Sequence, residues 1–89
     1  MKFQVGDRIR ISPNYNWAQN ATGSIVFPDQ FVIDLASDNC PWDGWHRLVK
    51  GRRKIIECYF VEFDEPQIDP DGDGPYRGAE IESDVLIRI

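Results

Sequence analysis

Short stretches in which apolar and polar residues alternate are the feature that most limits how this chain can fold. Residues 8–11, 31–35 and 85–89 alternate in this way. A period of two is typical of β-strands with one face in the core. Residues 23–27 and 55–63 are rich in β-branched and aromatic side chains and end at Pro or Asp, which also favours strands. No window has the spacing of an amphipathic helix, so the pattern predicts an all-β protein.

The chain has 89 residues, enough for one compact core and too few for two domains with a cleft between them. We interpret residues 1–89 as a single domain. Five or six short antiparallel strands in this length predict a small closed barrel rather than a two-sheet sandwich. Residues at about 36–54 and 65–79 interrupt the strand pattern with Pro, Gly and runs of charge, and they predict two long irregular loops.

A hairpin is expected in the first half of the chain. Residues 28–30, Pro-Asp-Gln, separate the apolar runs at 23–27 and 31–35. Proline and aspartate are frequent in tight turns. The pattern therefore predicts two paired strands, with Phe31 directed into the core or plugging one end of the barrel.

Charge is unevenly distributed along the sequence. The formal net charge is −5, but residues 46–54 contain five Lys or Arg and no acid, whereas residues 57–84 contain ten acids and one arginine. In one interpretation the two regions lie close together and neutralise each other. In the other, the basic region docks an acidic partner. Trp42 and Trp45 either anchor that interface or cap an open barrel end. The candidate partner-binding residues are Arg8, Arg10, Trp42, Trp45, Arg47, Lys50, Arg52, Arg53 and Lys54.

An ordered series of residues opens the chain: Val-Gly-Asp-Arg-Ile-Arg-Ile at 5–11, then Pro13, Tyr15 and Trp17, then Thr-Gly-Ser-Ile-Val at 22–26. This series resembles the opening of the electron-transport accessory proteins. That group of SH3-like barrels includes photosystem I reaction-centre subunit IV, the variable chain of ferredoxin-thioredoxin reductase and the barrel domain of the nitrile hydratase beta subunit. The likeness resumes at residues 59–64 and 79–87 and covers about half of the chain. It implies an SH3-like barrel and a non-catalytic subunit that docks or stabilises a partner protein.

The types of residue present also favour a protein without catalytic activity. One histidine and two separated cysteines leave no nucleophile and base pair for covalent chemistry, so we expect no enzyme activity. An alternative function is RNA binding, because the KOW module of ribosomal and transcription proteins shares the first motif. The excess of acidic residues argues against it, since nucleic-acid affinity depends largely on neutralising phosphates.

The second predicted loop contains a sequence similar to a calcium-binding loop. Asp69, Asp71, Asp73 and Glu80 stand at positions 1, 3, 5 and 12 of an EF-hand-like spacing, with a glycine at position 6. Such a loop needs a helix on each side, and strands are expected here. We predict at most weak calcium binding and no other cofactor. A calcium-responsive domain is the second alternative function.

The remaining expectations concern compartment and cysteine chemistry. The N-terminal residues lack the pattern of a secretory signal, and no apolar run approaches the roughly 20 residues of a membrane span. The sequence predicts a cytoplasmic monomer that contacts no membrane. Cys40 and Cys58 do not form a Cys-x-x-Cys motif, so we expect both to be reduced and without a redox role.

Overall fold

The computed structural model of the chain describes residues 2–36 and 40–89. These residues form six β-strands, one short α-helix and one 3-10 turn. In chain order the elements are β1 (Arg8–Ile11), β2 (Thr22–Ile25), α1 (Gln30–Leu35), β3 (His46–Lys50), β4 (Ile55–Gln67), β5 (Tyr76–Glu82), the 3-10 turn (Ser83–Val85) and β6 (Leu86–Arg88). The prediction of an all-β protein with five or six antiparallel strands is confirmed.

All strand pairs are antiparallel and belong to one curled sheet, which forms a half-barrel compatible with an SH3-like barrel. The strand order is β3-β4-β2-β1-β6, and β5 pairs with β4 alone. Strand β4 is central because residues 58–62 pair with β5 while residues 55–59 pair with β3 and residues 61–63 pair with β2. The overlaps mean that β5 lies along one edge of β4, whereas β3 and β2 follow one another along the other edge.

The core lies inside the curl of the sheet. Alternate residues of β4 point into it, and Tyr59 and Val61 are fully buried there. The ring of Phe3 packs edge-on against Tyr59, with 5.3 Å between centroids. Phe63 continues the alternation of β4, and the other strands add Ile9, Ile11, Ile25, Ile81 and Leu86. Burial of these side chains is the main term that stabilises the fold.

Two glycines stand where the chain turns sharply or where two strands approach closely. Gly6 has a φ of +93°, and the carboxylate of Asp7 accepts a 3.0 Å hydrogen bond from the N–H of Gln4, which turns the chain into β1. At Gly23 a Cβ atom would lie only 2.4 Å from the carbonyl oxygen of Glu62. A side chain there would force β2 away from β4.

The predicted hairpin between residues 23–27 and 31–35 is wrong, because residues 30–35 form helix α1. Asp29 is the N-cap, and its side chain accepts a 3.0 Å hydrogen bond from the N–H of Val32. That bond satisfies a donor that the first helical turn leaves free. Phe31 is 71% exposed and does not fill the core.

The predicted irregular loops are shorter than expected. Residues 46–50, inside the first predicted loop of 36–54, form β3, which pairs with β4 from Ile55 onward. The second, predicted at 65–79, holds the end of β4 and the start of β5, so the connection shrinks to residues 68–75. Both corrections have the same cause: a strand at the end of a sheet needs only one apolar face and tolerates many charges. Residues 37–39 of the first stretch lie outside the described residues.

Candidate functional site

The basic segment is a hairpin tip. Residues 50–54, Lys-Gly-Arg-Arg-Lys, connect β3 to β4, and the N–H of Gly51 donates a 2.9 Å hydrogen bond to the carbonyl of Lys54. All five residues are exposed. Lys54 forms a 3.1 Å ion pair with Asp84. Within residues 2–36 and 40–89, no ion pair involves Lys50, Arg52 or Arg53. We call residues 50–54 the basic tip.

Two apolar side chains flank the basic tip. Leu48 is 51% exposed on β3 and Ile55 is 63% exposed at the start of β4. Exposed apolar side chains next to basic ones supply both contact area and charge to a protein interface. The tip therefore has both a charged and an apolar component.

The other basic candidates do not join the tip. Arg8 forms a two-pronged ion pair with Asp64, at 2.8 and 2.5 Å, and also donates to the hydroxyl of Ser24. Arg10 is exposed on β1, which is separated from β3 by β4 and β2 in the sheet. The basic residues that the sequence predicted to form one partner-binding surface therefore lie in separate parts of the molecule.

Arg47 is also bound by contacts within the protein, and its side chain is only slightly exposed. Its guanidinium contacts the carboxylate of Glu80 at 2.6 Å and donates a 2.9 Å hydrogen bond to the carbonyl of Cys40. It also lies 5.6 Å from the ring centroid of Trp42, a cation–π distance. Arg47 and Lys54 are thus paired with acids from the acidic region, as the first interpretation of the charge pattern predicts, whereas within the described residues Lys50, Arg52 and Arg53 form no ion pair.

The two tryptophans are half-buried. The indole N–H of Trp45 donates a 3.1 Å hydrogen bond to the carbonyl of Phe3, and its ring packs edge-on against Phe27 beside the core. Trp42 packs edge-on against Phe60 on the outer face of β4, with 6.1 Å between centroids. Trp45 therefore caps the core, which favours the structural interpretation for that residue.

The acidic residues of the 68–75 connection form a tight group. Ligand oxygens of Asp69, Asp71 and Asp73 lie within 4.8 Å of one another. Asp69 accepts hydrogen bonds from the N–H groups of Asp71 and Asp73, at 3.0 and 2.9 Å, so it shapes the loop. Glu80 lies on β5, where Arg47 contacts it. The proposed fourth calcium ligand is thus committed elsewhere, and calcium binding by the three aspartates stays a prediction.

Both cysteines are free thiols. Cys58 is buried on β4 next to Glu80, and burial together with that carboxylate raises the pKa of its thiol to about 11. A thiol with such a pKa is almost entirely protonated at neutral pH and is a poor nucleophile.

Helix α1 and its surroundings are the feature that sequence reasoning missed. The helix has no buried residue, and Phe31 and Leu35, four residues apart on one side of it, are 71% and 69% exposed. Phe27, just before the helix, is 60% exposed. The signal that could have revealed α1 is Asp29, a preferred N-cap residue directly before an apolar run.

Comparisons with known proteins give no relative. No protein-family model matches the chain, and no curated protein and no solved structure is detectably similar to it. Among the described residues, no helix has the length and apolar character needed to span a bilayer.

Proposed function

We propose that this protein is a non-catalytic docking module that binds an acidic protein partner through the basic tip. The observation that carries the proposal is that, within the described residues, Lys50, Arg52 and Arg53 form no ion pair, at a hairpin tip flanked by Leu48 and Ile55. The opposite charges of an acidic surface would steer the encounter, and the two apolar side chains would supply contact area. The electron-transport accessory type is part of this proposal, supported by the barrel-like sheet and the opening motif.

The pattern of ion pairs supports binding of an acidic partner by the basic tip. Arg8, Arg47 and Arg88 contact Asp64, Glu80 and Asp7 respectively, so this acidic protein has carboxylates available for its own bases. Exposed ion pairs contribute little to stability. Leaving Lys50, Arg52 and Arg53 without ion-pair partners among the described residues therefore has a small energetic cost, and it keeps these charges available to another molecule.

RNA binding is less well supported. Sequence-tolerant RNA binding needs exposed aromatic faces on which bases stack. Trp45 caps the core, and Trp42 lies between Phe60 and Arg47. The net charge of −5 also opposes a polyanion over most of the surface.

The proposal is tested with fluorescent peptides in which glutamate and leucine alternate, and with single-stranded RNA of equal charge. We expect anisotropy to report binding of the acidic peptide at low salt, weakened several-fold by Arg52→Ser with Arg53→Ser. The matched control is Arg10→Ser with Arg77→Ser, which removes the same two charges at exposed positions outside the tip. Equal weakening by the control pair, or tighter binding of the RNA, would refute the proposal.

A further inference from the structure

A groove separates α1 from the outer side of β4 and β5. Its volume is about 460 Å³, and its apolar walls include Trp17, Val32, Phe60, Tyr76 and Ala79. That volume lies within the range of ligand-binding clefts, which is roughly 300–1,000 Å³. Trp17 and Tyr76 pack edge-on at 6.0 Å and form one end of the groove.

The groove is open because α1 fills it poorly. Val32 is the helix residue that lines it, while Phe31 and Leu35 are largely exposed. A helix with this composition would normally bury one apolar side against its sheet. Here the helix stands beside the sheet without closing the space, so apolar surface is exposed on both walls of the groove.

One end of the groove is strongly acidic. Asp69 lines it, and Asp71 and Asp73 lie next to Asp69. Desolvation and these three carboxylates raise the pKa of the Tyr76 hydroxyl, which places the acidic group beside the aromatic end of the groove. Within the described part of the chain, no basic side chain forms an ion pair with any of the three aspartates.

We propose that this groove binds a segment of a partner protein that carries a large apolar side chain flanked by lysine or arginine. The apolar side chain would lie between Val32 and Phe60, and the basic residues would face Asp69, Asp71 and Asp73. Charge complementarity selects this occupant, because a neutral or acidic segment would leave three neighbouring carboxylates uncompensated. The inference is independent of the basic tip, which has the opposite charge and uses other residues.

The test uses a labelled peptide with one central leucine between two pairs of lysines. Replacing the leucine by serine should weaken binding about tenfold to hundredfold, the factor that corresponds to burying one leucine. Replacing the lysines by glutamine should also weaken it, with a loss that shrinks as salt is added. Amide signals of Val32, Gly78 and Ala79 should shift on binding, since these residues line the groove.

Variants of the protein separate the two parts of the site. Asp71→Asn with Asp73→Asn should weaken the lysine peptide about threefold to tenfold at low salt, and neither carboxylate is needed for the hydrogen bonds that Asp69 makes in the loop. Val32→Gln places a polar group in the groove at a helix position that accepts glutamine. Phe31→Gln is its matched control on the same helix and should leave binding unchanged.

Three results would overturn the inference. The first is equal binding of the lysine-free peptide, and the second is amide shifts confined to residues outside the groove. The third is sedimentation showing self-association that competes with the peptide, because a second copy would then occupy the groove through its own basic tip. The variant that carries both Arg52→Ser and Arg53→Ser should bind the lysine peptide as the wild type does. A failure of the function proposed for the basic tip would therefore leave this result unaffected.

Discussion

Tyr59 and Phe60 are neighbours on β4 that have opposite surroundings. Tyr59 points into the curl of the sheet, is fully buried, and accepts hydrogen bonds from the N–H groups of Lys2 and Phe3, at 2.7 and 3.0 Å. Phe60 points outward, where Trp42 and α1 cover it only in part. The inner face of β4 holds the fold together, and the outer face retains apolar surface for other molecules.

Substitutions of Tyr59 and Phe60 test the difference between the two faces of β4 most directly. We expect Tyr59→Ala to lower the free energy of unfolding by about 3–5 kcal/mol, and Phe60→Ala by about 1–2 kcal/mol. Urea denaturation measures both. Since Tyr59→Ala could unfold the protein, Tyr59→Phe serves as a milder variant. It leaves the N–H of Phe3 without its acceptor and the N–H of Lys2 with Glu57 alone, at a cost of about 1–3 kcal/mol. Equal losses at positions 59 and 60 would contradict the division into two faces.

The outward-facing Cys58 tests how well the outer face excludes water. With a thiol pKa of about 11 in the folded protein against 9.0 as the ordinary value, alkylation by iodoacetamide at pH 8 should be about a hundredfold slower than in the urea-unfolded protein. A Cys40→Ser background isolates the signal. Because folding raises this pKa, its contribution to stability is present below pH 9 and is lost as the pH rises towards 11. Equal alkylation rates in the two states would show that the outer face is open at Cys58.

The Arg47 and Glu80 pair shows how much electrostatics contributes on the outer face. We expect Glu80→Ala to destabilise the protein by about 1–2 kcal/mol, because it removes a carboxylate that contacts the largely buried guanidinium of Arg47 at 2.6 Å. The control is Lys54→Ala, which breaks the exposed contact with Asp84 and should cost less than about 0.5 kcal/mol. The urea midpoints of both variants show whether the more deeply buried ion pair contributes more to stability than the exposed one.

The smallest change in stability is expected when the exposed ion pair of Arg8 and Asp64 is broken. Hydrogen bonds from Arg8 and Thr22 hold the pKa of Asp64 well below its usual value of 3.8. Folding lowers this pKa, so the contribution to stability is present above about pH 4 and is lost as the pH falls below it. Asp64→Asn should therefore make the urea midpoint less dependent on pH in acid. An unchanged acid profile would mean that the pair contributes nothing to folding.

The inner face could be predicted from the sequence because its rule is simple. Alternation at Ile9 and Ile11 places every second side chain of β1 in the core. Gly23 was also predictable, since only glycine allows the close approach of β2 to β4. The outer face follows no such period, because loops and a short helix cover it, and their positions depend on contacts distant in the sequence.

Residues 31–35 show why the helix was missed. Phe-Val-Ile-Asp-Leu alternates like a strand and contains two β-branched residues, so local preference favours β structure. The N-cap hydrogen bond from Val32 to Asp29 is compatible only with a helical turn. Glu80 was misassigned for a related reason: spacing along the chain suggested a calcium ligand, whereas its place on β5 brings it to Arg47 across the sheet.

The pairing of β1 with β6 has a consequence for how fast the protein folds. Ile9 faces Arg88, so this contact joins segments near the two ends of the sequence. Bringing such distant segments together costs loop-closure entropy before any contact forms. The hairpin of β3 and β4 and the pairing of β4 with β5 join consecutive strands and can form early, whereas β1 and β6 meet late. The ends of the chain, rather than the long central strand, then limit the folding rate, and in pulsed hydrogen exchange during refolding we expect β4 amides to gain protection before those of β6.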